Sequence, residues 1–89
     1  MAWTYRLTAT AEKTLRKLDP PQQRRIFQFL DERIQGAKDP RSEGKPLKGR
    51  HQGLWRFRVG DYRIVTEIQD EVAVVLVLKV AHRRDVYER

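Results

Sequence analysis

Cysteine is absent from the 89 residues, so neither a disulfide nor a thiolate metal site can support the fold. That absence fits a reducing cytoplasm. The N-terminus, MAWTYRLTATAEKT, lacks the apolar segment of a secretory signal. No other stretch approaches the roughly 18 uninterrupted apolar residues of a membrane span. A cytoplasmic protein with no membrane partner is the expectation. Histidine occurs only twice, no glycine-rich phosphate loop stands at a strand-to-helix junction, and no nucleophile–histidine–acid set is present. The carboxylates are scattered: Glu12, Asp31 and Glu32 fall on expected helices, and Glu67 on a strand. These gaps argue against a paired-carboxylate hydrolase and against any metal or other cofactor. A chain this short reads as one small domain over residues 1–89, burying roughly 60–65% of its unfolded surface.

Positive charge is abundant. The formal net charge is +7 and the isoelectric point about 10.3. Between Arg41 and Arg63 stand seven basic residues (Arg41, Lys45, Lys48, Arg50, Arg56, Arg58, Arg63) against two acids, Glu43 and Asp61. Such a concentration points to nucleic acid or another polyanion. For the loop residues a solvated basic surface is the plainer reading; for the strand arginines it is not.

The reason lies in Gly53–Val65, GLWRFRVGDYRIV. Trp55, Phe57 and Val59 alternate with Arg56 and Arg58, the period of a half-buried strand. Gly60-Asp61 is a two-residue turn of the type II′ kind. Closing it pairs Val59 with Tyr62, Arg58 with Arg63, Phe57 with Ile64 and Arg56 with Val65. Trp55, Phe57, Val59, Tyr62 and Ile64 then share one face, and Arg56, Arg58 and Arg63 the other. Like charges directly opposite one another are destabilising, so an arginine face of this kind makes sense where it meets an anion.

Elsewhere the pattern predicts a short first strand through Trp3, Tyr5 and Leu7, then a helix over about Ala9–Leu18 capped by Thr8. Its inner stripe is Ala11, Thr14, Leu15 and Leu18. A second helix begins at Asp19-Pro20-Pro21-Gln22, with Asp19 as cap and Gln22 at capping-box spacing. It should run to about Ala37, burying Ile26, Phe27, Leu30 and Ile34, with Phe29 near the edge. Residues 36–52 read as a basic loop. A turn near Gln69-Asp70-Glu71 leads into the apolar run Val72–Leu78, which fits a central strand covered on both faces. The order is β-α-α-β-β-β, an α+β fold with a helical hairpin packed on a small, largely antiparallel twisted sheet.

Arginine grips a phosphodiester and stabilises growing charge, but it is a poor proton acceptor. Metal-free RNA cleavage needs only the RNA's own 2′-hydroxyl as nucleophile, with in-line orientation, charge neutralisation and two proton movements. His82 and Tyr87 are the candidates for the protons. Either histidine could equally be an ordinary surface residue, and Tyr87 a packed or base-stacking aromatic. Lys79 belongs to the site or marks the end of a strand.

Four segments together resemble the RelE branch of the RelE/ParE superfamily of toxin–antitoxin toxins. They are Arg16-Lys17-Leu18, Pro46-Leu47-Lys48-Gly49, Leu54–Arg63 and Val80-Ala81-His82-Arg83-Arg84-Asp85-Val86-Tyr87. The resemblance implies a microbial-ribonuclease-like fold and a ribosome-dependent mRNA endonuclease that inhibits translation. Its partners would be mRNA in the ribosomal A site, ribosomal RNA and a RelB-like antitoxin, the last held in a heterodimer or larger heteromer. It maps catalytic roles onto Arg56, Arg58, Arg63, Arg83 and Tyr87, with His82 added because arginine replaces the family's first-strand lysines. Lys45, Lys48, Arg50, Lys79 and Arg84 are the expected RNA-binding residues. A ParE-like toxin that inhibits gyrase, or a non-catalytic RNA- or ribosome-binding module, is the alternative.

Overall fold

Thr8 joins the first strand to the first helix, and it does so with both its backbone and its side chain. In the computed structural model, which describes residues 2–86 (85 and 86 by backbone alone), Thr4–Leu7 forms β1 and Ala9–Lys17 forms α1. The Ala11 amide donates to Thr8 Oγ1 at 3.1 Å, the cap expected from the sequence. The same hydroxyl donates to the Leu78 carbonyl at 3.1 Å, and the Thr8 amide donates to the Val77 carbonyl at 3.0 Å. The start of α1 is thereby tied to the middle of the sheet.

Pro20–Phe29 forms α2, with Pro20 in the first turn as expected. The cap differs from the expectation. Asp19 contributes its carbonyl, which accepts from the Gln22 and Gln23 amides, and makes no side-chain cap. Gln23, rather than Gln22, ties the two helices, its Nε2 donating to the Leu18 carbonyl at 2.9 Å. The helix also stops short of Ala37. A wider π turn over Leu30–Ile34 closes it, and Gly36 follows at φ 80°, a left-handed geometry suited to glycine. Its amide donates to the Trp3 carbonyl at 2.7 Å, anchoring the helix end to the first strand.

The remaining elements are a 3₁₀ turn at Pro40–Glu43, β2 (Lys45–Pro46), a second 3₁₀ turn at Gly49–His51, β3 (Trp55–Val59), β4 (Tyr62–Gln69), β5 (Val74–His82) and α3 (Arg83–Val86). The sheet order is β1-β5-β4-β3-β2; β1 runs parallel to β5 and every other pair is antiparallel. This is the α+β arrangement expected, with two helices on a five-stranded sheet. The hairpin register is also as expected, Val59 opposite Tyr62 and Arg58 opposite Arg63. Gly60 has φ 59° while Asp61 does not enter the positive range, as a type II′ turn requires.

Ala11, Leu15, Ile26, Leu30 and Ile34 from the helical layer meet Phe57, Ile64, Val75, Val77 and Val80 from the sheet, all buried. Each fully buried aliphatic side chain contributes about 1.5–3 kcal/mol. Tyr5 and Phe29 close the margins, Phe29 lying 5.8 Å from the Phe57 ring centroid. The Val72–Leu78 run is a central strand, but only its helix side is fully covered. Val74, Leu76 and Leu78 stay half-exposed on the sheet face opposite α1 and α2, and Val72 lies in the preceding turn at 63% exposure.

Tyr5 supplies a test of this packing. Its hydroxyl donates to Asp31 Oδ1 at 2.7 Å, joining β1 to the π turn. Burial, that hydrogen bond and the nearby Asp31 charge push the phenol from 10.0 up to about 12. Because the folded value exceeds the unfolded one, its contribution to stability is whole below pH 10 and disappears as pH rises towards 12. Ultraviolet titration is expected to show a late-ionising tyrosine that is lost in Tyr5→Phe. Persistence of that late step in the variant would assign it to another ring.

Candidate functional site

The open face of the sheet carries the cations in rows. Lys45, Arg56, Val65 and Lys79 are successive cross-strand partners over β2, β3, β4 and β5. At about 4.8 Å per strand, the row spans roughly 14–15 Å of backbone. A second row runs Arg58, Arg63, Ala81.

Lys79 reaches this face through an irregularity. Val75 and Val77 point to the helices, so simple alternation would send Lys79 inward as well. The β4–β5 register shifts between Val65 and Thr66, with Val65 opposite Lys79 and Thr66 opposite Val77. Leu78 is the extra residue of a β-bulge, and the phase reverses beyond it. Val80 now enters the core and Lys79 faces out. Thr66, fully buried, satisfies its hydroxyl by donating to the Trp55 carbonyl at 3.1 Å.

Arg58 is exposed and Arg56 half-buried, as expected of a binding face. Arg63 departs from expectation: it is only 3% exposed. Its register is correct, but α3 turns back against β4 and β5 at this end of the sheet. The Arg83 amide donates to the Asp61 carbonyl at 2.7 Å, and Ala81, beside Arg63, is buried too. The Arg63 guanidinium is engaged within the fold rather than offered to solvent.

His82 also stands elsewhere than expected. It pairs with Tyr62 on the helix side of the sheet, the two rings edge-to-face at 5.3 Å. Its Nδ1 accepts from the Arg84 amide at 3.2 Å, which makes it a start signal for α3 rather than a neighbour of the arginine face. The reversed phase of β5 beyond the bulge puts it there. Arg83 and Arg84 are exposed on α3. Lys48 and Arg50 are exposed on the loop around the second 3₁₀ turn and line neither arginine cleft described below. Tyr87 lies outside the described residues.

Residues 36–52 are more ordered than a basic loop would be. Pro40 is buried, and Arg41 makes paired hydrogen bonds to Asp70 at 2.9 and 2.8 Å while its guanidinium lies 5.7 Å from the Trp55 ring centroid. These bonds hold the Asp70 carboxyl below its ordinary range and raise the Arg41 guanidinium further. Arg41 therefore serves as a strap, not as part of the free cationic surface.

Two clefts meet at Arg58. One, about 350 Å³, is lined by Ser42, Glu43, Gly44, Lys45, Arg56 and Arg58. The other, about 410 Å³, lies between α2 and the edge of β3 and contains Arg25, Arg33, Glu32, Glu43 and Phe29 beside Arg58. Arg25 was not anticipated. Its guanidinium lies against the turn at Gly60, where an added Cβ would come within 3.1 Å of Nη1. Its neighbour in sequence, Arg24, and the general basicity of α2 gave no reason to single it out. Among the described residues no group of three or more histidine or acidic side chains could hold a metal. No helix among them is long and apolar enough to cross a membrane.

Comparison with known proteins fits this arrangement. Residues 5–87 match the family described as ParE toxin of type II toxin-antitoxin system, parDE. The chain is 36% identical to Toxin RelG of Mycobacterium tuberculosis over 89 residues, 100% of each protein. A chain of the toxin–antitoxin complex RelBE2 from the same organism superposes with a TM-score of 0.84 at 34% identity, covering 93% of this chain and 100% of that one. The isolated E. coli RelE toxin gives a TM-score of 0.73 at 26% identity, with 91% and 84% covered. With its α+β fold matched over nearly the whole chain and its arginine-bearing hairpin in the expected register, the chain belongs to the RelE branch of the RelE/ParE superfamily, the toxins of type II toxin–antitoxin systems.

Proposed function

We propose that residues 1–89 form a single toxin domain that acts in the cytoplasm as a ribosome-dependent mRNA endonuclease, an mRNA interferase that inhibits translation. The observation that carries this reading is the row Lys45–Arg56–Lys79 with Arg58 beside it on an open sheet face. Such a row follows the repeating negative charge of an RNA strand laid across the strands. In the reaction the 2′-oxygen attacks the adjacent phosphorus and the 5′-oxygen leaves, giving a 2′,3′-cyclic phosphate and a 5′-hydroxyl. Arg56 and Arg58 neutralise the charge that gathers on the non-bridging oxygens. Arg83 and Arg84 extend the surface from α3, while Arg63 stands buried opposite Arg58. Tyr87 is the proton donor to the leaving oxygen. The resident partner is a small RelB-like antitoxin, a reading supported by the toxin–antitoxin complex among the structural relatives.

The family description by ParE favours one second reading, inhibition of gyrase. Mapping mRNA 5′-ends after brief induction separates the two. The ribonuclease reading expects new ends within translated frames, suppressed by co-expressing the adjacent small gene product. Intact mRNA together with inhibited DNA supercoiling would establish the gyrase reading instead.

A further inference from the structure

We propose that the Glu43 carboxylate is the general base of this reaction, removing the proton of the RNA 2′-hydroxyl as that oxygen attacks phosphorus. The inference rests on the ribonuclease reading and supplies what that reading lacks. Arginine does not give up its proton. A lysine acts as a base where burial strips its ammonium of water, and Lys45 and Lys79 are both exposed. His82 stands on the far side of the sheet.

Among the described residues, Glu43 is the one carboxylate lining the cleft that holds Lys45, Arg56 and Arg58. Its side chain is 27% exposed, open enough to meet a substrate. Oε1 accepts from Arg33 Nη1 at 3.2 Å, whereas Oε2 takes no hydrogen bond among the described residues. One oxygen fixes the group and the other remains to accept a proton.

The backbone that carries it is closely seated. A Cβ on Gly44 would lie 2.4 Å from the Arg56 carbonyl oxygen and 2.5 Å from Phe57 Cδ1, so only glycine lets this segment rest against β3. The preceding turn is braced by Ser42 Oγ donating to the Asp39 carbonyl at 2.8 Å and by the Arg41 amide donating to Asp39 Oδ1 at 3.1 Å. The charged groups around the carboxylate are Arg33 from the π turn, Lys45 from β2, Arg56 and Arg58 from β3, and Glu32 and Arg25 across the adjoining cleft. As the 2′-O–P bond forms, the proton passes to Glu43. As the P–O5′ bond breaks, the leaving oxygen takes a proton from the acid of the ribonuclease reading.

Single-turnover cleavage on programmed ribosomes between about pH 6 and pH 9 tests the assignment. The parent is expected to vary little over this range. Glu43→Gln, which keeps the shape and the bond to Arg33, should cleave about 10²–10⁴-fold more slowly at neutral pH with unchanged KM and melting temperature. Its rate should then climb roughly tenfold per pH unit as hydroxide replaces the missing base. Glu43→Asp should fall between the two. A Glu43→Gln protein that cleaves like its parent overturns the inference alone. So does one that melts earlier and is slowed equally at every pH, the signature of a structural tie. A parent that leaves no cyclic-phosphate and 5′-hydroxyl ends overturns the ribonuclease reading and this inference with it.

Discussion

Arg58→Glu is expected to abolish growth arrest while leaving a folded protein at least as stable as its parent. Arg58 is exposed and lines both clefts, so losing its guanidinium removes donors from the phosphate, and the new carboxylate repels it. Removal of one such donor costs about 10²–10³ in rate, and the reversed charge adds to that. The stability argument runs the other way. Arg63 is its direct cross-strand partner, and an opposite-charge pair is worth roughly 0.2–1 kcal/mol where a like pair was unfavourable. Viability after induction, read beside a thermal melt, checks both halves. Undiminished arrest by the folded variant would remove Arg58 from the site. The same change at Arg63 is expected to fail differently. At 3% exposure a carboxylate there would be buried where the fold accommodates a cation, a cost of about 3–5 kcal/mol that threatens folding itself. The hairpin pattern alone treats the two positions alike.

Phe57→Ala is expected to lower stability by about 3–5 kcal/mol. Phe57 is fully buried, packs on Phe29 from α2, and presents its ring edge to Gly44. Truncation therefore opens a cavity between three segments at once. Denaturant unfolding measures it. A midpoint equal to the parent's would mean that the faces of β3 are reversed from those described. Because the ring also supports the chain beside Glu43, a partly folded Phe57→Ala protein should lose activity in excess of its unfolded fraction.

What was legible in the sequence was whatever is decided locally. The two-residue turn at Gly60-Asp61 fixes the pairing of Arg58 with Arg63, and Thr8 caps α1 through a bond spanning three residues. What was hidden depends on segments far apart in the chain. Arg63 is buried at the end of the sheet where α3, some twenty residues later, turns back against β4 and β5. The facing of Lys79 and His82 depends on a bulge that an unbroken apolar run cannot reveal, since Val, Leu and Ala satisfy either face. Glu43 was counted as a minority acid within a basic window. Its place beside the arginines follows from the close seating of Gly44 on β3, a contact no periodicity encodes.

The bulge in β5 has a consequence for how this fold tolerates change. Upstream of Leu78 the strand pairs with β1 on one side and the far half of β4 on the other; downstream it pairs with the turn half of β4 and leads into α3. The extra residue sets the two halves in opposite phase, so Val77 and Val80 both enter the core while Lys79 keeps to the open face. Thr8 guards that joint by bonding the carbonyls of Val77 and Leu78. Deleting that one surplus residue would turn Lys79 towards the helices and break the cationic row, so the charge of the open face rests on a single miscount in the strand.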